Sequence, residues 1–113
     1  MQRIAKVTQK DVDRIIQRDF LASEFKSVTE ILTLYRSSEG FRVFASILKL
    51  SQGDIALVKE YVDKANYDYR DIIAASEYPN YSERAFDDDL SKKDAKYLED
   101  LDWKQFQTWF NKV

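Results

Sequence analysis

Hydrophobic side chains recur along this chain every three or four residues and almost nowhere in strict alternation, so the pattern predicts helices throughout and no strand. Only two Gly and one Pro interrupt it, which leaves long stretches free to coil. Val12, Ile15, Ile16 and Phe20 line one face of a first helix, and Thr8 with Asp11 has the form of a capping box at its start. A second helix, with Ser23 as its candidate cap, carries Phe25, Val28, Ile31, Leu32 and Tyr35 and ends in the polar break Ser37 to Gly40. Phe41, Phe44, Ala45 and Leu48, joined by Val43 and Ile47, make a third helix that is apolar nearly all round. Exposing so many large side chains would leave a patch that soluble monomers avoid, so the helix at about 41–50 is expected at the centre of a bundle.

Gly53 can take the left-handed conformation that ends this helix, and Asp54 can cap the next, whose buried face is Ile55, Val58, Tyr61, Val62 and Ala65. Asp68 with Asp71 repeats the box geometry and opens a short helix bearing Tyr69, Ile72, Ile73 and Ser76, which Tyr78-Pro79 ends. From Pro79 to Leu90 the chain reads as an irregular polar loop. Ser91 with Asp94 opens a helix carrying Ala95, Leu98 and Leu101, and Asp102 with Gln105 predicts a second start. Behind that start Trp103, Phe106 and Phe110 form a stripe, with Trp109 beside it, that should dock on the core. The expected fold class is all-α: a compact bundle of six to seven short helices around a central apolar helix, one domain over residues 1–113, with 1–7 as a candidate disordered lead.

Composition narrows the chemistry more than it names it. With no Cys there are no disulfides, thiolate nucleophiles or zinc-thiolate sites, and with no His the commonest general base and transition-metal ligand are missing. No cofactor and no metal is implied. Met1 to Val7 show no export signal, and the longest nearly uncharged stretch, Phe41 to Ile55, is too short to cross a bilayer, so the protein is expected in the cytoplasm and off the membrane. A net charge of -2 without a basic block weighs against nucleic acid as a partner.

Four constellations could still carry a function. The run Asp87-Asp88-Asp89 invites calcium, but Lys92 stands where the loop motif needs Gly and Leu98 where it needs Glu, so a solvated loop is the simpler reading. The helix pair Asp54 to Glu77, joined by Asn66-Tyr67-Asp68, has the length of a DNA-binding helix-turn-helix. Its second helix offers only Arg70 among Asp68, Asp71 and Glu77, and an ordinary antiparallel hairpin explains the same residues. A carboxylate or magnesium enzyme is the remaining catalytic alternative, although helix-start duty already accounts for Asp11, Asp54, Asp68, Asp71, Asp94 and Asp102. The last signal is aromatic: Tyr61, Tyr67, Tyr69, Tyr78 and Tyr81 crowd one stretch, interleaved with charges. Tyrosine either fills the rim of a core or anchors a partner. On the second use, Tyr67, Tyr69, Arg70, Tyr78 and Tyr81 are the candidate binding residues of a non-enzymatic interaction or regulatory module that engages a protein partner or a second copy of itself.

The stretch Ile47-Leu-Lys-Leu-Ser-Gln-Gly-Asp54, followed by Leu57, Tyr61-Val62, Ala65, Asp68-Tyr-Arg-Asp71 and Glu77-Tyr-Pro79, resembles a group of small bacterial all-helical proteins. The likeness covers roughly residues 41–81. It implies a bacterial cytosolic origin and carries over neither an activity nor any catalytic or binding residue.

Overall fold

A computed structural model describes residues 3–84, 87 and 89–113. Among them are six α-helices, α1 (Gln9–Asp19), α2 (Phe25–Leu32), α3 (Gly40–Ser51), α4 (Ile55–Glu77), α5 (Pro79–Arg84) and α6 (Lys92–Phe110), with a 3-10 turn at Ala22–Glu24 and no strand. The all-α bundle is thus the fold, and no described helix is long and apolar enough to cross a membrane.

Local chemistry sets most of the helix starts. At α1 the Thr8 hydroxyl accepts the Asp11 N–H while the Asp11 carboxylate accepts the Thr8 N–H, the reciprocal box the sequence predicts. Asp54 accepts the Ala56 N–H to start α4, and Ser91 accepts the Asp94 N–H to start α6. Ser23 does not cap α2. It lies inside the 3-10 turn, where the longer Glu24 side chain reaches back to the Leu21 N–H, and α2 begins only at Phe25.

α3 is the central element, packed chiefly on α4 and also on α1. Its Val43, Ala45, Ile47 and Leu48 are fully buried, joining Val12, Ile15 and Ile16 of α1, Val28 and Leu32 of α2, and Val58, Val62, Ala65, Ile72 and Ile73 of α4. Its apolar surface is less complete than the sequence suggests, because Phe41 at the first turn stays exposed and packs its ring edgewise against Phe44. Arg3 to Val7, ahead of α1, are not helical, yet Ala5 is buried and Val7 packs against the core.

In the second half one expectation is sharpened and two are corrected. The joint expected at Asn66-Tyr67-Asp68 is present as a one-residue break: Asp68, at φ -155° and ψ 100°, leaves helical torsion angles and divides α4 into two helical segments. The loop expected from Pro79 to Leu90 begins as a helix, α5, with Pro79 at its first position, where a missing N–H costs nothing. Of that stretch Ala85, Phe86 and Asp88 lie outside the described residues, and so therefore does part of the acidic run. Finally, Asp102 starts no helix. α6 runs unbroken through it, and the carboxylate is buried instead.

Candidate functional site

The five candidate binding residues fall in two places. Tyr67, Tyr69 and Arg70 sit at the break in α4. Asp68 makes the break and repairs it: its carboxylate accepts the Arg70 N–H at 3.1 Å, capping the second segment, and takes the Arg70 guanidinium at 3.0 and 3.1 Å. Hydrogen bonding and the charge of Arg70 hold the Asp68 carboxyl below the usual carboxylate range. On the other side Asn66 clamps the α2–α3 connection, accepting the Arg36 N–H and donating to the Leu34 carbonyl, both at 3.0 Å. Between these anchored neighbours the Tyr67 side chain is 93% exposed.

Open depressions of about 350 and 290 Å³ flank the Tyr67 ring, the first bordered by Asp63, Lys64 and Asp71, the second by Ser37, Tyr69 and Arg70. A rigidly based, exposed aromatic between two shallow hollows is the geometry of an interface anchor: the side chain loses little freedom on contact and has a large area to bury. Tyr69 is half-buried and packs against the core cluster, so it supports the patch more than it projects from it.

Tyr78 and Tyr81 lie elsewhere, where α4, α5 and α6 meet. Tyr78 packs against the core and lines a narrow cleft. The backbone N–H of Tyr81 is bound by Asp102, which is 1% exposed and accepts three hydrogen bonds: from the Asn80 N–H at 3.1 Å, the Asn80 side-chain amide at 2.8 Å and the Tyr81 N–H at 2.9 Å. A carboxylate on α6 therefore caps α5, a role that spacing along the chain cannot reveal. Gln105, one turn on, donates to the Ser76 carbonyl at 3.0 Å and so closes the end of α4 rather than pairing with Asp102. Beside them Arg42 grips Glu77 with two hydrogen bonds of 2.7 and 2.8 Å, and half-buried Lys49 is pushed below its ordinary value by burial, with Asp102 opposing the shift.

The cleft lined by Tyr78, Glu77, Glu99, Asp102 and Trp103 has an inner volume of about 20 Å³, room for one water. Two of its three acids are already engaged, Glu77 by Arg42 and Asp102 by α5. Among the described residues no three carboxylates gather closely enough to hold a metal ion. Arg70, the one cation a DNA-reading second helix would have offered, is taken up by Asp68.

Cations absent from the sequence reading hold the last helix. Arg18 donates to the carbonyls of Trp109 and Lys112 at 2.8 and 2.9 Å, and Arg14 to that of Phe110 at 2.8 Å. Each guanidinium also lies over a ring, 5.2 Å from Phe110 for Arg14 and 5.1 Å from Trp109 for Arg18. The exposed ends of α6 carbonyls thus meet positive charge where the helix dipole is negative. The only sequence-level hint is that both arginines fall on one side of α1, four residues apart. Comparison with known protein families, curated proteins and solved structures returns no match for this chain.

Proposed function

We infer that this protein is a non-enzymatic interaction module that presents the break in α4 to a protein partner, with Tyr67 as the anchor and Tyr69 and Arg70 as its immediate surround. The carrying observation is the 93% exposure of a tyrosine whose backbone is fixed on both sides, by Asn66 to the α2–α3 connection and by Asp68 to the following turn. Fixed presentation lowers the ordering cost of association, and tyrosine is among the residues that dominate interface energies. Tyr78 and Tyr81 belong in this reading to the scaffold, their surroundings being the α4–α5–α6 junction.

The enzyme alternative would draw support from a roomy pocket with two or more uncommitted acids, whereas the cleft beside Glu77 and Asp102 has room for one water and leaves only Glu99 unengaged. A helix-turn-helix role would need Arg70 free for base edges, and it is paired within its own turn. A cytosolic location suits a chain without cysteine, which has no need of an oxidising compartment.

A photo-crosslinking amino acid at position 67, compared with one at exposed Lys26, tests the surface in living cells. A discrete adduct formed at 67 and not at 26, with the same protein lost from affinity capture when Tyr67→Ala is the bait, supports the reading. Light scattering on the same pair separates self-association from a foreign partner. An identical capture profile for wild type and Tyr67→Ala would refute it.

A further inference from the structure

Arg3, ahead of α1, reaches across to α6. Its guanidinium lies 5.3 Å from the centre of the Trp103 ring and hydrogen-bonds the Asp100 carboxylate. It thereby forms one wall of the cleft that Glu77, Tyr78, Glu99, Asp102, Trp103 and Phe106 also line. The arrangement around it has the parts of a guanidinium receptor: a flat indole face for the cation to stack on, a carboxylate at hydrogen-bond distance, and a second carboxylate, Glu99, and Tyr78 in the lining beside it. Both partners of the ion pair remain about half exposed, 44% for Arg3 and 50% for Asp100, so the occupant can leave without unpacking the core.

The receptor also has a continuation. Directly beyond Arg3 an open groove of about 460 Å³ runs along α6 past Asp100 to Lys92, Ala95 and Lys96. This groove is far too large for a guanidinium alone; Glu99 and Asp100 line its end beside Arg3, Lys96 stands 4.0 Å from Asp100, and Lys92 adds a second ammonium group. It suits a stretch of peptide backbone with an acidic side chain beside the arginine.

We propose that the place Arg3 occupies between the Trp103 ring and the Asp100 carboxylate, where the cleft meets the groove, is a recognition site for an arginine side chain of a partner protein, held shut in cis by Arg3, and that the groove selects an acidic residue next to that arginine. The site is separate from the Tyr67 surface and stands or falls independently of it. Arg3 acts as a tethered competitor. An occupant whose effective concentration is about two to nine times its own dissociation constant for the site lowers apparent affinity about three- to tenfold, which is the gain its removal restores.

The test titrates wild type and Arg3→Ala with acetyl-Gly-Arg-Glu-Gly-amide, its lysine counterpart and N-ethylguanidinium, following the Trp103 indole N–H by NMR. Trp109→Phe assigns the two indole signals, and a thermal melt of each variant confirms the fold. The expected result is saturable movement of the Trp103 signal in Arg3→Ala, with the arginine peptide bound about three- to tenfold more tightly than by wild type. The lysine peptide should bind more weakly, and adding Asp100→Asn should remove the gain. N-ethylguanidinium binding as tightly as the arginine peptide would overturn the assignment to a peptide. Absence of a saturable Trp103 shift in folded Arg3→Ala, or equal affinity with and without Arg3, would overturn the site itself.

Discussion

Arg42 and Glu77 face each other across 35 positions of sequence, joined by two nearly parallel hydrogen bonds of 2.7 and 2.8 Å that lock the first turn of α3 to the last turn of α4. The Glu77 side chain is 6% exposed and that of Arg42 16%, so neither charge keeps much water. The hydrogen bond to Glu77 holds Arg42 protonated beyond its usual range, against the opposing effect of burial. A pair of this kind contributes little over a well-packed apolar pair, but half of it is costly to leave behind. Glu77→Leu alone should therefore lower unfolding free energy by about 3 kcal/mol, whereas Arg42→Met with Glu77→Leu should recover most of the loss. Urea denaturation of the two single variants and the double variant checks this, and strictly additive losses would contradict it.

Asp102 poses a related problem of burial without a counter-charge in contact. Three donors from the start of α5 compensate it, two of them backbone N–H groups that have no other partner in a helix's first turn. Asp102→Ala should cost about 2 kcal/mol of stability, the scale expected when charge-assisted bonds are lost and buried donors are stranded. Hydrogen exchange at Asn80 and Tyr81 should accelerate by about tenfold or more, since α5 is only six residues long and holds its start through this one side chain. Unchanged exchange at those two amides would show that α5 is held by other means.

Capping residues mark where the sequence was readable and where it was not. Thr8 with Asp11, Asp54 with Ala56 and Ser91 with Asp94 act over two or three residues, so composition and spacing contain the whole interaction. Asp102 followed by Gln105 has the same local form, yet its partners lie 21 and 22 residues back on another helix, and no periodicity records that encounter. The same holds for Arg42 with Glu77, for Asn66 with Leu34 and for Arg18 with Trp109. Of the tyrosine cluster, the sequence shows the crowding but not which ring is free. Tyr67 stays in water because the break at Asp68 falls just after it, while Tyr69, two residues on, packs against the core.

The two glycines should respond to alanine in opposite directions. Gly53 has φ +78°, in the left-handed region, and an added Cβ would stand 2.8 Å from the Asp19 carbonyl oxygen, a backbone atom that cannot swing aside. Gly40 begins α3, and an added Cβ there meets nothing within 4 Å. Gly53→Ala should destabilise by about 2 kcal/mol, combining left-handed strain with the clash. Gly40→Ala should stabilise by about 0.5 kcal/mol through reduced freedom of the unfolded chain. Thermal melts that rank the two variants the other way would contradict the close approach of α1 to the α3–α4 turn.

Lys49 gives the clearest pH signature. Burial lowers its pKa from the ordinary lysine value, and the attraction of Asp102 on α6 only partly offsets this. The protonated form is thus disfavoured in the folded state relative to the unfolded one, so the ammonium subtracts from stability at every pH below its folded pKa. As pH rises through the folded pKa toward the ordinary lysine value the side chain becomes neutral and the penalty disappears. Lys49→Met keeps the length and apolar character of the stem and removes the charge, so it should stabilise the protein at pH 7, by no more than about 1 kcal/mol because the site is only half-buried. The difference between wild type and variant should be constant from pH 6 to 8 and shrink as the alkaline range is entered. Parallel urea melts across that range measure it; a Lys49→Met variant less stable than wild type at pH 7 would mean that the attraction to Asp102 outweighs desolvation after all.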